Sequence, residues 1–102
     1  MDEKTALTAF TALSNRTRMR MLKSLVQASP HTMSAGDIAT AVGATASRAS
    51  FHLANLAEAG LITSERHSRE VLYQVSFDQL TELTRFLLVD CCSGRIDIQN
   101  CC

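Results

Sequence analysis

Residues 33–62 read "MSAGDIATAVGATASRASFHLANLAEAGLI". Ser34 followed by Asp37 is the opening pattern of a helix, because a short side-chain oxygen at the cap accepts from the free N–H groups of the first turn. Ile38 and Val42 give that helix a buried face, and Gly43 suits the left-handed position just past its end. Thr45 can cap a second helix at once, one that runs to about Ala59 before Gly60 stops it. Only Gly43, Ala44 and Thr45 separate the two. Two helices across so tight a turn form a helix-turn-helix. In the second helix Ala49, Leu53 and Leu56 share one face, and Ser47, Arg48, Ser50, His52 and Asn55 are expected largely off it.

On the N-terminal side, "EKTALTAFTAL" (3–13) puts Ala6, Phe10 and Leu13 on one helical stripe with Leu7 beside it. Ser14 is the expected cap of a second helix, in which Met21, Leu22, Leu25 and Val26 recur at helical spacing while Arg16, Arg20 and Lys23 stay outside. Pro30 ends that run, since it has no N–H to donate. On the C-terminal side the period changes towards two. "LITSER" (61–66) and "EVLYQVS" (70–76) read as strands, and His67 to Arg69 make a hairpin tip of cationic character. Ser76 with Gln79 opens a last helix, striped by Leu80, Leu83 and Leu87 and widened by Phe86 and Leu88, which should end near the first cysteine pair. The fold class is mainly α (α+β): a winged helix-turn-helix with a two-stranded β-wing.

A chain of 102 residues, 46% hydrophobic and 20% charged, is an ordinary globular sequence that a partner subunit would help to bury. The acidic start "MDEKTALTAF" lacks the basic region of a signal peptide, and no stretch nears the ~20 apolar residues that cross a bilayer. A cytoplasmic protein with no membrane partner is expected. Ten Lys and Arg balance ten Asp and Glu, so bulk charge announces no nucleic acid. Residues 1–60 do carry six basic against four acidic residues, a weak excess on the motif side. No paired carboxylates, phosphate-cradling glycine loop or grouped histidines suggest catalysis, and no organic cofactor or enzyme activity is expected.

In a winged helix-turn-helix the second motif helix enters the major groove by its N-terminal part. Ser47, Arg48, Ser50 and His52 are then candidates for base or phosphate contacts, with Asn55 further along. Arg69 on the wing would meet backbone or minor groove of double-stranded DNA. Singly, each of these residues also fits a plain solvated face. A plain solvated face does not account for the conjunction of a tight helical pair with a following hairpin.

The sequence resembles the ArsR/SmtB family of metalloregulatory repressors over nearly its whole length. "FTALSNRTRMRMLKSL" (10–25) is similar to the family's "ALSDPTRLRILxxL", with Asn15 and Arg16 at the Asp-Pro positions and Arg18 and Leu22 retained. Residues 34–62 resemble "ELAxxLGxSxxxxSxHLxxLxxAGLV" at Ser50, His52, Leu53, Leu56 and residues 59–61, and "SREVLYQV" (68–75) resembles the wing strand. The resemblance implies a homodimer, joined through the first and last helices, that binds a two-fold operator and releases it on binding inducer. The expected organisation is a DNA-binding and dimerisation domain over 1–92 and a flexible tail over 93–102 that carries metalloid ligands.

All four cysteines, Cys91, Cys92, Cys101 and Cys102, lie at the C-terminal end. Adjacent residues on a helix project about 100° apart, so Cys91 and Cys92 converge on one ion only where the helix loosens. Gly94 lets the tail turn, bringing a thiolate from Cys101 or Cys102 back. Three or four thiolates without a nearby histidine select soft ions over magnesium or calcium. Arsenic(III) or antimony(III) takes three thiolates in a pyramid and is the expected inducer. Zinc or cadmium could use all four in a tetrahedron, and oxidation of the pairs would make a redox-responsive repressor instead. Arsenic sensors of one branch of the family resemble this chain in a vicinal pair at the end of the last helix and a third cysteine shortly after. A metal-trafficking protein is the rival from another class, and it leaves the helix-turn-helix and wing without a task.

Overall fold

Capping side chains set where each helix begins. In the computed structural model, which describes residues 1–91 and side chains through Val89, the elements run α1 (Glu3–Leu13), α2 (Arg16–Ala28), β1 (Met33–Ser34), α3 (Ala35–Val42), α4 (Ala46–Glu58), β2 (Ile62–His67), β3 (Glu70–Val75) and α5 (Phe77–Arg85). A π-helical turn, Phe86–Cys91, follows α5. Asp2, Asn15, Ser34, Thr45 and Ser76 each accept a hydrogen bond from the backbone N–H three residues on, at 2.8–3.3 Å. The expected cap of α2, Ser14, belongs to the helix before it: its N–H closes α1 on the carbonyls of Phe10 and Thr11. Asn15, extended at φ −156° and ψ 129°, holds its amide oxygen over the Arg18 N–H instead.

The core is a contiguous cluster whose largest fully buried side chains are Met21, Leu25, Ile38, Leu53, Leu56 and Leu61. α1 turns its alanines inward: Ala6, Ala9 and Ala12 are buried, Phe10 and Leu13 flank them half-buried, and Leu7 is exposed. Small side chains let α1 lie close on α2 and α4, so the expected stripe through Phe10 and Leu13 is rotated towards Ala9. Val26 is exposed for a related reason, since Met21, Leu22 and Leu25 already fill the inward face of α2.

The wing is an antiparallel hairpin in register from Ile62 opposite Val75 to His67 opposite Glu70. Its two-residue tip places Ser68 at φ 59°, in the left-handed region. The sheet has a third strand that the sequence reading lacks: β1 pairs with β3, Met33 opposite Tyr73 and Ser34 opposite Leu72. Ser34 thus ends a strand and caps α3 in consecutive roles. The last helix also departs from expectation, changing from α to π geometry at Phe86 and leaving Leu87 and Val89 exposed.

Candidate nucleic-acid interface

Both motif helices end in a left-handed glycine. At Gly43, φ 68°, the Ala44 N–H reaches back to the Ala39 carbonyl at 3.0 Å; at Gly60, φ 76°, the Leu61 N–H reaches the Leu56 carbonyl at 3.1 Å. The first closure turns the chain into Thr45 and fixes α4 against α3. α4 buries Ala49, His52, Leu53 and Leu56 and leaves Ser47, Arg48, Ser50, Phe51 and Ala54 exposed. Ser47, Arg48 and Ser50 are therefore all exposed on the N-terminal half of the helix, the two serines sharing a side and Arg48 standing about 100° round from Ser47. Such groups can donate to phosphates or base edges.

Asn55 is half-buried and lines a groove of about 620 Å³ between α1 and α4, with Lys4, Leu7, Thr8 and Glu58 among its neighbours. It faces α1 across that groove.

His52 corrects the expectation that it lies off the buried face: it is only 7% exposed. Its Nδ1 lies 3.1 Å from the Arg18 Nη1, and the Arg18 Nε donates to the Ala12 carbonyl at 2.6 Å. A guanidinium has no acceptor, so Nδ1 must accept and the neutral ring carries its proton on Nε2. Burial holds the His52 pKa below its usual 6.5, and the positive charges of Arg18 and then Arg48 push the same way. One side chain of α2 thus ties the end of α1 to the middle of α4.

Arg69 stands exposed at the hairpin tip, on a projection separate from α4. Arg66 is exposed on the same wing, and His67 lies 3.4 Å from the Glu65 carboxylate. Arg66 and Phe51 are not among the residues expected from the sequence; Phe51 follows Ser47 by four residues, so helical spacing alone places it on the outer side of α4. At the other end of α4, the Gln79 amide of α5 donates to the Ala59 carbonyl at 3.2 Å, and the Ser76 N–H donates to the Leu61 carbonyl at 2.9 Å. α5 is thereby hydrogen-bonded to the end of the helix that presents Arg48.

The family model described as a helix-turn-helix domain matches residues 13–65. The chain belongs to that family. This helix-turn-helix protein has the fold of ArsR-family winged-helix transcriptional regulators, a group of DNA-binding proteins rather than enzymes. It is similar to the homodimeric winged helix-turn-helix DNA-binding domain of a possible ArsR-family transcriptional regulator from Mycobacterium bovis, at 25% identity and TM-score 0.70 over 85% of this chain and 79% of that one. NolR from Sinorhizobium fredii is similar at 28% identity and TM-score 0.68, over 83% of this chain and 82% of that one. A protein described as a possible transcriptional regulator for arsenical resistance is similar at 26% identity and TM-score 0.67, over 76% of this chain and 77% of that one. A comparison with curated protein sequences found no match.

Among the described residues no three His, Cys, Asp or Glu side chains are grouped to hold a metal ion, and no helix is long and apolar enough to cross a membrane. The backbone of Cys91 ends the π-helical turn. Cys92, Cys101 and Cys102 lie outside the described residues.

Proposed function

We propose that this helix-turn-helix protein is a repressor responsive to arsenic(III) or antimony(III), bound to operator DNA as a homodimer and released when its C-terminal thiolates take the metalloid. The observation that carries the reading is the placement of all four cysteines at and beyond the end of the element that follows α5, while α5 itself is hydrogen-bonded to α4 through Gln79. The donor set fits the ion: Cys91, Cys92 and either Cys101 or Cys102 would supply three soft thiolates. The likeness to a possible arsenical-resistance regulator supports the same reading.

Within the protein, Ser47, Arg48 and Ser50 would meet the major groove and Arg69 the backbone beside it. Arg18 and Gln79 hold α4 from its two sides. Leu7 on α1, Phe77 on α5, and Leu87 and Val89 after it are exposed apolar groups that a second copy would cover, with the 1–92 segment as the dimerising unit and 93–102 as the ligand-bearing tail. Two heads must match two half-sites, so a small change in the angle between them loses one contact set. Allosteric coupling free energies are typically about 1–3 kcal/mol.

The test is an operator-release titration with arsenite, cadmium, zinc and peroxide on the wild type and on each single Cys→Ser variant. Release by arsenite that is lost in Cys91→Ser and Cys92→Ser, and partly lost at position 101 or 102, supports the proposal. Release by zinc or cadmium needing all four cysteines, or by peroxide alone, replaces it with the metal-ion or redox reading.

A further inference from the structure

Phe51 is 65% exposed on α4, where the other outward residues of the N-terminal half are Ala46, Ser47, Arg48 and Ser50, with Ala54 one turn on. Ser47, Phe51 and Ala54 fall on one stripe by helical spacing, so the ring rises between a hydroxymethyl and a methyl group. It is braced at one edge: its centroid lies 5.5 Å from that of His52, with the planes at 68°, and His52 is itself fixed by Arg18. Single exposed apolar side chains are common on protein surfaces; this one stands on the same half-helix as Ser47, Arg48 and Ser50, the groups proposed to meet DNA.

The groove floor that α4 would face offers few apolar features. Hydrogen-bonding edges of the bases are matched by Arg48 and the two serines, whereas the C5-methyl of thymine is matched by an apolar side chain. Ser47, Ser50 and Ala54 beside it are small, so the ring is the tallest side chain on that side of the helix. We propose that Phe51 is a specificity-determining residue that reads thymine through its methyl group. The inference rests on operator binding by α4 and names the base that this face favours.

The wild-type protein selects duplexes from a random pool, and the selected site is remade with each thymine replaced in turn, in both half-sites, by deoxyuridine. Deoxyuridine keeps every hydrogen bond and lacks only the methyl group. At one thymine position the replacement should weaken wild-type binding about fourfold per half-site, or about fifteenfold for the pair, as expected for one lost apolar carbon contact. Phe51→Ala should bind the two duplexes alike, and Phe51→Leu should keep part of the difference. Circular dichroism melts of both variants, at an exposed position, should match the wild type. Equal wild-type affinity for every deoxyuridine duplex, or discrimination that survives in Phe51→Ala, overturns the inference and leaves operator binding standing. Failure to select any sequence overturns the operator reading and this inference with it.

Discussion

Arg18 donates to Nδ1 of His52 across 3.1 Å and, through Nε, to the Ala12 carbonyl, so a single guanidinium joins α1, α2 and α4. Its partners are 6 and 34 residues away in sequence. Replacing Arg18 by Met keeps the apolar stem and removes both donors, leaving a ring nitrogen and a carbonyl unpaired in a confined space. Arg18→Met should lower stability by about 1–3 kcal/mol in urea denaturation. An unchanged midpoint would show that solvent satisfies both acceptors without loss.

The same contact gives the fold a pH dependence. His52 has its pKa held below the usual 6.5 in the folded chain, first by burial and then by Arg18 and Arg48. As pH falls below about 6.5 the unfolded chain takes a proton that the folded one refuses. Stability is therefore fully present above that value and declines below it, until the folded-state pKa is reached. His52→Asn keeps an acceptor near Nδ1 and cannot titrate, so its denaturation midpoint should fall less between about pH 7 and about pH 5 than that of the wild type. Identical slopes for the two proteins would show that His52 does not carry the pH dependence.

Gly43 and Gly60 occupy equivalent backbone positions with different surroundings. A Cβ at Gly43 would meet nothing within 4 Å, whereas one at Gly60 would sit 3.1 Å from the Gln79 amide nitrogen. Gly43→Ala should therefore cost only the left-handed backbone term, about 1–2 kcal/mol. Gly60→Ala should cost about 0.5–1.5 kcal/mol more, because Gln79 must give up its bond to Ala59. Equal thermal shifts would mean that Gln79 moves aside freely.

Arg48 and Arg69 should respond differently to sequence and salt. Arg48→Gln, on the exposed N-terminal half of α4, should weaken the selected operator by about 1–3 kcal/mol and relax preference at one base pair. Arg69→Gln should weaken all duplexes alike and reduce the slope of log affinity against log salt by about 1. Anisotropy titrations at several salt concentrations read both effects.

Much of this architecture is legible because local chemistry and global packing agree. Ser34, Gly43, Thr45 and Ser76 act where their side chains or backbone freedom predict, and the strand period over 61–76 survives as β2 and β3. β1 is hidden because two residues carry no period, and its Ser34 also reads as a helix cap. His52 is hidden by its polarity: the spacing of Ala49, His52 and Leu56 places it inward, but only a partner 34 residues away makes that burial tolerable. Ser14 and Asn15 are both good caps in isolation, and the choice between them is made by the closure of α1. The exposure of Ser47 and Ser50 follows from their i, i+3 spacing on the side away from Leu53 and Leu56, while the turn of Asn55 towards α1 depends on how the two helices pack.

The most direct measurement of the proposed switch is the anisotropy of a labelled operator duplex, titrated with arsenite against the reduced wild-type protein and against the variant carrying Cys91→Ser, Cys92→Ser, Cys101→Ser and Cys102→Ser together. Arsenite should release DNA from the wild type and leave the serine variant bound. Release of both proteins at the same arsenite concentration, or of neither, would contradict thiolate control of the DNA-binding face.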